Sequence, residues 1–336
     1  MAKVKKKDLC CSYLDQKRYE KLPTTTLAKI IYKENSELFT NWDTVRSTLR
    51  QLRGAGGKNT WSFKAYEKEI KKYSKNNPGK LAPFAKIPKG KKHFAEWTPF
   101  VIKSKAALIL SDAHIPYHDD VALETACEYG KEQKVDTVVL NGDFADFFSC
   151  SFWEKDPRER DFQGEIDTVL EALEYLRYMF PRKQIIWKIG NHEERFMRYM
   201  SVKAPELLGV DAFKFENIFK LDKYKITVVG DKRPMMFQDY TIIHGHEFYG
   251  GGGAQPAKAY LAKTKMNTIS AHLHRTSYHA EKGLKGQTRS YSSGCLCDLH
   301  PDYSPVNQWN HGFVVIKAGK QGARVESLVI EDGQIV

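Results

Sequence analysis

No apolar run in this 336-residue chain approaches the roughly 20 residues that a helix needs to span a bilayer, so a membrane association is not expected. The basic start, Met1-Ala-Lys-Val-Lys-Lys-Lys7, leads into no apolar stretch, and a secretory signal is not expected either. Cysteine is scarce. The six present include an adjacent pair, Cys10 and Cys11, and a pair one residue apart, Cys295 and Cys297, a distribution unlike a disulfide framework. The reducing cytoplasm is the expected compartment. Internal repeats and long low-complexity tracts are also missing.

Acidic residues are thin in the first third. Residues 1–105 hold 25 Lys and Arg against 9 Asp and Glu, a surplus of 16, whereas the rest of the chain holds 28 against 32. The net charge of +12 therefore belongs to the N-terminal region, and the remainder is mildly acidic. A basic arm on a near-neutral body points to a polyanionic partner, with a merely solubilising lysine-rich tail as the alternative.

What is there, first, is a helical start. Thr24-Thr-Thr26 offers N-caps for a helix through Leu27–Glu34 with Leu27, Ile30 and Ile31 on one face. Thr40, Asn41 or Asp43 can cap a second helix, Thr44–Arg53, that ends at Gly54-Ala-Gly-Gly57. It sets Val45, Leu49 and Leu52 beside a stripe of Arg46, Arg50 and Arg53. Two short helices with such a stripe have the form of a helix-turn-helix element that contacts nucleic acid, or of a small packing subdomain. Residues 1–57 are read as this basic domain and 58–104 as a basic linker, with a further helix near 62–74. The linker's interleaved aromatics (Trp61, Phe63, Tyr66, Tyr73, Phe84, Phe94, Trp97, Phe100) are read as anchors to the following domain rather than as base-stacking rings.

From residue 105 to the end, strands and helices alternate, then strands dominate. Helices are expected over 119–134, 163–178, 192–201 and 256–265, and late strands over 276–280, 287–292, 311–317 and 324–330. A βαβ first half and a strand-rich second half imply an α/β architecture: a four-layer αββα sandwich of two facing mixed sheets. Short apolar runs, Ala106–Leu110, Val135–Leu140, Gln184–Ile189 and Tyr240–Ile243, each precede polar clusters: Asp112-x-His114, Gly142-Asp143, Gly190-Asn191-His192 and His244-Gly-His246, with His272-x-His274 following later. Each cluster alone is weak evidence. Together at strand ends they predict one binuclear metal site, because ligands at the ends of adjacent strands converge although distant in sequence.

On those residues, the stretch 106–330 resembles the calcineurin-like metallophosphoesterase superfamily, whose pattern is Asp-x-His, Gly-Asp-x-x-Asp, Gly-Asn-His-Glu/Asp, His, and Gly-His-x-His. The chain reads Asp112-Ala-His114, Gly142-Asp-Phe-Ala-Asp146, Gly190-Asn-His-Glu193, His244 and Ala271-His-Leu-His274. The resemblance implies a first cation on Asp112, His114, Asp143 and His274, and a second on Asp143, Asn191, His244 and His272, with Asp143 bridging and His192 as the catalytic histidine. It implies two divalent metals, manganese first among Mn, Fe, Zn and Ni, and hydrolysis of a phosphate ester by a bridging hydroxide. His246 is placed next to the ligands or at the substrate, with Arg195 and Arg275 as phosphate contacts, each equally readable as a structural salt bridge. His118 is a further neighbour, and Gly250–Gly253 is either a phosphate-binding loop, a lid or a connection.

Departures narrow the reading. Phe147 and Phe148 follow Asp146 where protein phosphatases of this superfamily carry Arg-Gly, which argues against a phosphoprotein substrate. Cys295 and Cys297 are read as buried structural thiols rather than as part of a zinc set with His300 and His311. The basic region joined to this site makes a nuclease or phosphodiesterase on nucleic acid the leading expectation, and it also resembles DNA-associated phosphoesterases encoded by bacteriophages. A small-molecule nucleotide phosphatase or phosphodiesterase, and a non-enzymatic DNA-binding protein with a vestigial site, are the alternatives.

Overall fold

The computed structural model describes residues 6–53, 63–79, 87–91, 98–152, 158, 160–230, 232–250, 253–284 and 286–336. The glycine stop at 54–57, Trp61, Phe84, Phe94, Trp97, Trp153 and the middle of the 250–253 glycine run lie outside these residues, as do the side chains of Phe63 and Tyr66. The chain divides into two compact units, Met1–His93 and Phe94–Val336.

The first unit contains α1 (Lys6–Leu14), α2 (Thr24–Glu34), α3 (Trp42–Arg53) and α4 (Phe63–Asn76). Cys10, Leu27, Ala28, Ile31, Val45 and Leu49 bury its small core. Thr24 to Thr26 lie inside α2 rather than at its cap, and Pro23 stands before the helix with φ −55°. Proline suits that place because its fixed φ is already helical and its missing N–H would have had no partner. Of the three candidate caps for α3, Asn41 serves: its side chain accepts the Thr44 N–H at 2.9 Å.

The arginine stripe on α3 is shorter than the sequence suggests. Arg50 is exposed, and Arg46 sits 2.8 Å from Asp43. Arg53 turns inward and is only 5% exposed. Its guanidinium donates to the Leu22 carbonyl at 2.7 Å and to Thr24 Oγ1 at 3.2 Å. Those acceptors sit at the loop that enters α2, so Arg53 ties the end of one helix to the start of another. A buried guanidinium whose Nη1 donates inside the protein is withdrawn from any nucleic-acid surface.

The second unit begins with β1 (Phe100–Val101) and β2 (Ala106–Leu110), followed by α5 (Asp120–Glu132), β3 (Thr137–Asn141), α6 (Phe162–Met179) and β4 (Gln184–Lys188). Next come α7 (Glu193–Lys203), the single turns α8 (Phe215–Ile218) and α9 (Leu221–Tyr224), then β5 (Ile226–Val229), β6 (Met235–Phe237) and β7 (Tyr240–Ile242). The last part is α10 (Pro256–Thr264), β8 (Asn267–Ser270), β9 (Ser277–Gly283), β10 (Gly286–Ser292), β11 (His311–Lys317), β12 (Arg324–Glu331) and β13 (Gln334–Ile335). Among the described residues no helix is long and apolar enough to cross a membrane.

These strands form two mixed sheets, ordered β13-β12-β11-β2-β3-β4-β5 and β1-β6-β7-β8-β10-β9. Strands β2 to β5 run parallel, and β11 joins β2 antiparallel. Strand side chains alternate between faces. Ala107, Ile109, Val139 and Ile186 therefore meet Ile242, Ile269, Met235 and Phe237 in a core between the sheets. Leu108, Leu110, Val138 and Leu140 face the other way, onto Leu123, Ala126, Leu173 and Leu176 of α5 and α6. Helix α10 contacts β8, β9 and β10 of the second sheet. The architecture is the expected α/β sandwich of two mixed sheets. Its first strand begins upstream of residue 105, since Phe100 pairs with Met235 and Ile102 enters the core between the sheets. The edge of the linker is thus part of the second unit.

Candidate metal centre

Every polar cluster read from the sequence sits just past the carboxyl end of a strand, where the ladder stops and backbone can turn toward a common point. Asp112 and His114 follow β2, Asp143 follows β3, and Asn191 and His192 follow β4. His244 follows β7, and His272 and His274 follow β8. The turns are tight. Asp112, His114, Asp143, His272 and His274 all hold φ between 49° and 72°, a left-handed conformation that costs a non-glycine residue about 1–2 kcal/mol. Gly142, at φ 86°, precedes Asp143, and a side chain there would collide with Nδ1 of His244. Residues held in such conformations are sustained by their surroundings and gather at functional sites.

The donors converge. Nε2 of His114 and Nε2 of His274 lie 3.1 Å apart, with Asp112 Oδ1 3.4 Å from the latter. Nε2 of His244 lies 3.1 Å from Asp143 Oδ2 and 3.2 Å from Asn191 Oδ1, and the His272 ring centroid is 5.1 Å from that of His244. Asp143, His244 and His272 form one grouping that could hold a metal ion, and His114 with His274 and Cys297 forms another. A third joins His114, Asp143 and His192. The donor set fits divalent cations on an independent observation: Asp112 Oδ1 is buried without a hydrogen bond and faces only the imidazoles of His274, His244 and His114 at 3.4–4.0 Å, and a carboxylate oxygen so placed is costly to bury unless a cation meets it.

Orientation comes from what the far side of each ring touches. Nδ1 of His244 donates to the Asn141 carbonyl at 2.8 Å, and Nδ1 of His114 lies 2.9 Å from Asp146 Oδ1. Both contacts leave Nε2 aimed inward, the arrangement metal-binding histidines adopt. Burial disfavours a charged His244, but Asp143 and Asp112 outweigh it and push the imidazole up to about 10. His274 behaves likewise, with burial outweighed by Asp112, and reaches about 10. His272 goes the other way, down to about 4, because burial and the nearby His244 charge act together. Carboxylates that hold protons on two buried imidazoles also attract a dication.

His192 stands at the edge of this set. Its backbone N–H donates to Asp143 Oδ1 at 2.8 Å, and its Nδ1 lies 2.7 Å from Asp146 Oδ1. Arg195 donates to Asp146 Oδ2 through Nη1 at 3.2 Å and brings Nη2 within 2.8 Å of His192 Nε2. Asp146 thus orients two histidines and one arginine, a role its place in Gly142–Asp146 signals but does not spell out. Of the other expected contacts, His246 points Nε2 at Glu194, 3.3 Å away. Arg275 donates to the Ala254 carbonyl. His118 pairs through its backbone with Cys297.

Cys295 and Cys297 are buried free thiols, as expected. Cys297 is nonetheless nearer the centre than its sequence context indicates, with Sγ 3.8 Å from His274 Nδ1. His300 and His311 bond to the Pro305 and Cys297 carbonyls instead.

Two buried acids escaped the sequence reading. Glu193, beyond its place in the Gly-Asn-His-Glu pattern, accepts backbone N–H groups from Asp143, Phe144, Ala145 and Gly190. Glu247 accepts the His244 and Gly245 N–H groups at 3.0 and 2.6 Å and pairs with the buried Lys188 ammonium at 2.8 Å. Burial pushes the Glu247 carboxyl up, but Lys188, His246 and His244 outweigh it and bring it from an ordinary 4.5 to about 2. A carboxyl lowered in this way stabilises the fold above its unfolded value and loses that contribution as pH falls from 4.5 toward 2. Lys188→Met is therefore expected to cost about 3–5 kcal/mol at neutral pH by stranding Glu247. Urea denaturation should show the gap from the parent narrowing at pH 3, and a gap independent of pH would refute this account of the pair.

Residues 106–304 match the family model described as calcineurin-like phosphoesterase. The Gene 54 protein of Mycobacterium phage L5 is 28% identical over 257 residues, covering 69% of this chain and 96% of that protein. The Gene 54 protein of Mycobacterium phage D29 is 29% identical over 201 residues, covering 56% and 74% respectively. Solved structures with a similar outline include vacuolar protein sorting 29 of Cryptosporidium parvum, at a TM-score of 0.39 and 12% identity over 69% of this chain and 95% of that one. Yfce, a phosphoesterase from E. coli, matches at 0.34 and 14% over 69% and 96%. The family match runs from the first residue of β2 to the loop before β11 and takes in every strand end that carries a donor, and on that extent the chain belongs to the calcineurin-like phosphoesterase family.

Proposed function

We propose that this protein is a two-metal phosphodiesterase that cleaves nucleic acid, with its basic N-terminal unit holding the polymer. The observation that carries the catalytic half is the convergence of seven donors (Asp112, His114, Asp143, Asn191, His244, His272 and His274) beside the His192–Asp146 pair. Asp112, His114, Asp143 and His274 would hold one cation, and Asp143, Asn191, His244 and His272 would hold the other. Mixed oxygen and imidazole donors suit divalent manganese, iron, zinc or nickel, and manganese is the one proposed. Bound there, the cations supply an activated water and neutralise charge on the phosphoryl group.

The residues of the chain do the rest. Arg195, braced by Asp146, offers its Nη2 hydrogens to a phosphoryl oxygen. That contact releases His192 Nε2 from Arg195, so the nitrogen can take up a proton from solvent and pass it to the leaving oxygen. Asp146 stabilises the charged ring through Nδ1. His246, now paired with Glu194, and Arg275, now bonded to the Ala254 carbonyl, are the further side chains proposed to contact substrate.

The surplus of 16 positive charges in residues 1–105 supports the polymer as substrate. Arg46 and Arg50 are the arginines of α3 left to meet it, since Arg53 is buried. A salt titration of DNA binding by the full chain tests this. The affinity is expected to fall steeply with salt. Arg46→Gln/Arg50→Gln should lower the log–log slope by about 1–2, near 0.9 for each phosphate no longer neutralised. A flat salt dependence, together with mononucleotides turned over faster than polymer, would replace the nuclease by a small-molecule phosphoesterase.

A further inference from the structure

Beside the metal ligands lies a cavity of about 390 Å³, bordered on its inner side by His114, Asp146 and Cys297. Its walls are aromatic. Tyr117 and Phe148 meet edge to face at 5.5 Å, and the largely exposed Tyr303 also lines the cavity. The Tyr303 ring continues through Trp309, 6.1 Å away, to the His274 imidazole, 4.1 Å beyond. Asp298 and Asp302 line the outer part. The loop that carries them is tied down, because Asp298 donates its N–H to the Tyr117 carbonyl at 2.8 Å.

We infer that this cavity receives the base of a nucleotide flanking the scissile phosphate, taken out of its stack. The inference rests on the nuclease reading and specifies its substrate as single-stranded or end-frayed nucleic acid. Three features of the cavity point the same way. Its volume lies in the range of small-ligand sites. Aromatic faces stack on any base. Two carboxylates repel a second phosphate but accept N–H groups from the edge of a base. The position fits as well: Asp146 is shared between the cavity wall and His192, so a group seated here lies next to the reacting phosphate. A base in an intact duplex is held by its neighbours and must be extruded first, which disfavours paired substrate.

The test compares kcat/KM of the full-length protein with Mn²⁺ on a single strand, on the same sequence as a duplex, and on a single strand carrying abasic sites at the cleaved steps. The parent is expected to favour the intact over the abasic strand by on the order of tenfold or more, and the single strand over the duplex. In Tyr303→Ala, and separately in Tyr117→Leu, the intact-to-abasic ratio should fall toward one. A parent that cleaves intact and abasic strands equally overturns the base pocket and leaves the nuclease reading standing, as does a ratio that neither variant moves. A parent that cleaves none of the three strands overturns the nuclease reading and the base with it.

Discussion

Asp143→Ala is expected to lose hydrolysis of bis-p-nitrophenyl phosphate by on the order of 10³-fold or more, the scale on which a preorganised charge at a reacting centre acts. Asp143 is the point where the site is joined. Its Oδ1 accepts the His192 N–H at 2.8 Å, while its Oδ2 lies 3.1 Å from His244 Nε2 and 3.8 Å from His192 Nε2. Alanine would remove the shared carboxylate, the partner that charges His244, and the hydrogen bond that sets the start of α7. Bound metal, measured on the purified protein, should fall together with turnover. His192→Ala separates the two properties: turnover should fall about 10²–10⁴-fold while the metal content stays near that of the parent. An Asp143→Ala protein that kept both its metal and its rate would refute the assignment.

The second large effect is on folding. Glu193→Ala would strip the partner from the backbone N–H groups of Asp143, Phe144, Ala145 and Gly190, and from Trp187 Nε1, all held at 2.8–3.2 Å. A buried donor left unmade costs about 1–3 kcal/mol. Five of them in one place should cost on the order of 5 kcal/mol or more, comparable with the whole stability of an ordinary domain. Burial and the neighbouring Asp143 hold the Glu193 carboxyl above its ordinary value, so the N–H groups are what keep this acid inside. Glu193→Gln keeps the shape and one acceptor oxygen, and should lose markedly less. Thermal or urea unfolding would show it, and a Glu193→Ala protein within about 1 kcal/mol of the parent would refute this role.

Much of the catalytic half is readable in the chain because two signals coincide there. Apolar runs such as Ala106–Leu110 mark buried strands, and the Asp, His and Asn residues after them have no other reason to sit at so many strand ends. The helices over α5, α6 and α10 are legible from their periodicity, and β11 from its apolar run Phe313–Ile316. What escapes is whatever depends on partners distant in sequence. Arg53 looks like its neighbours Arg46 and Arg50 along the helix, yet the loop at Leu22–Thr24 supplies acceptors that turn it inward. Glu247 and Lys188 lie 59 positions apart and only the facing of the two sheets pairs them. The short strands β5, β6 and β8 carry too few residues to show a period. The cavity beside the ligands is built from Tyr117, Phe148 and the 298–303 loop, segments that share no pattern at all.

The left-handed backbone at Asp112, His114, Asp143, His272 and His274 sets chemistry against durability in this molecule. A non-glycine residue is strained there, and glycine or asparagine would relax it. Selection for heat resistance alone, with no demand for turnover, would therefore admit substitutions at ligand positions as readily as at Lys134, Lys220, Lys225 and Lys265, which hold the same conformation, and some of the hardier proteins would be inactive. A thermostable variant that still hydrolyses its substrate must gain its stability elsewhere, for instance in the surfaces of α5 and α6, where the backbone is relaxed and no donor is lost.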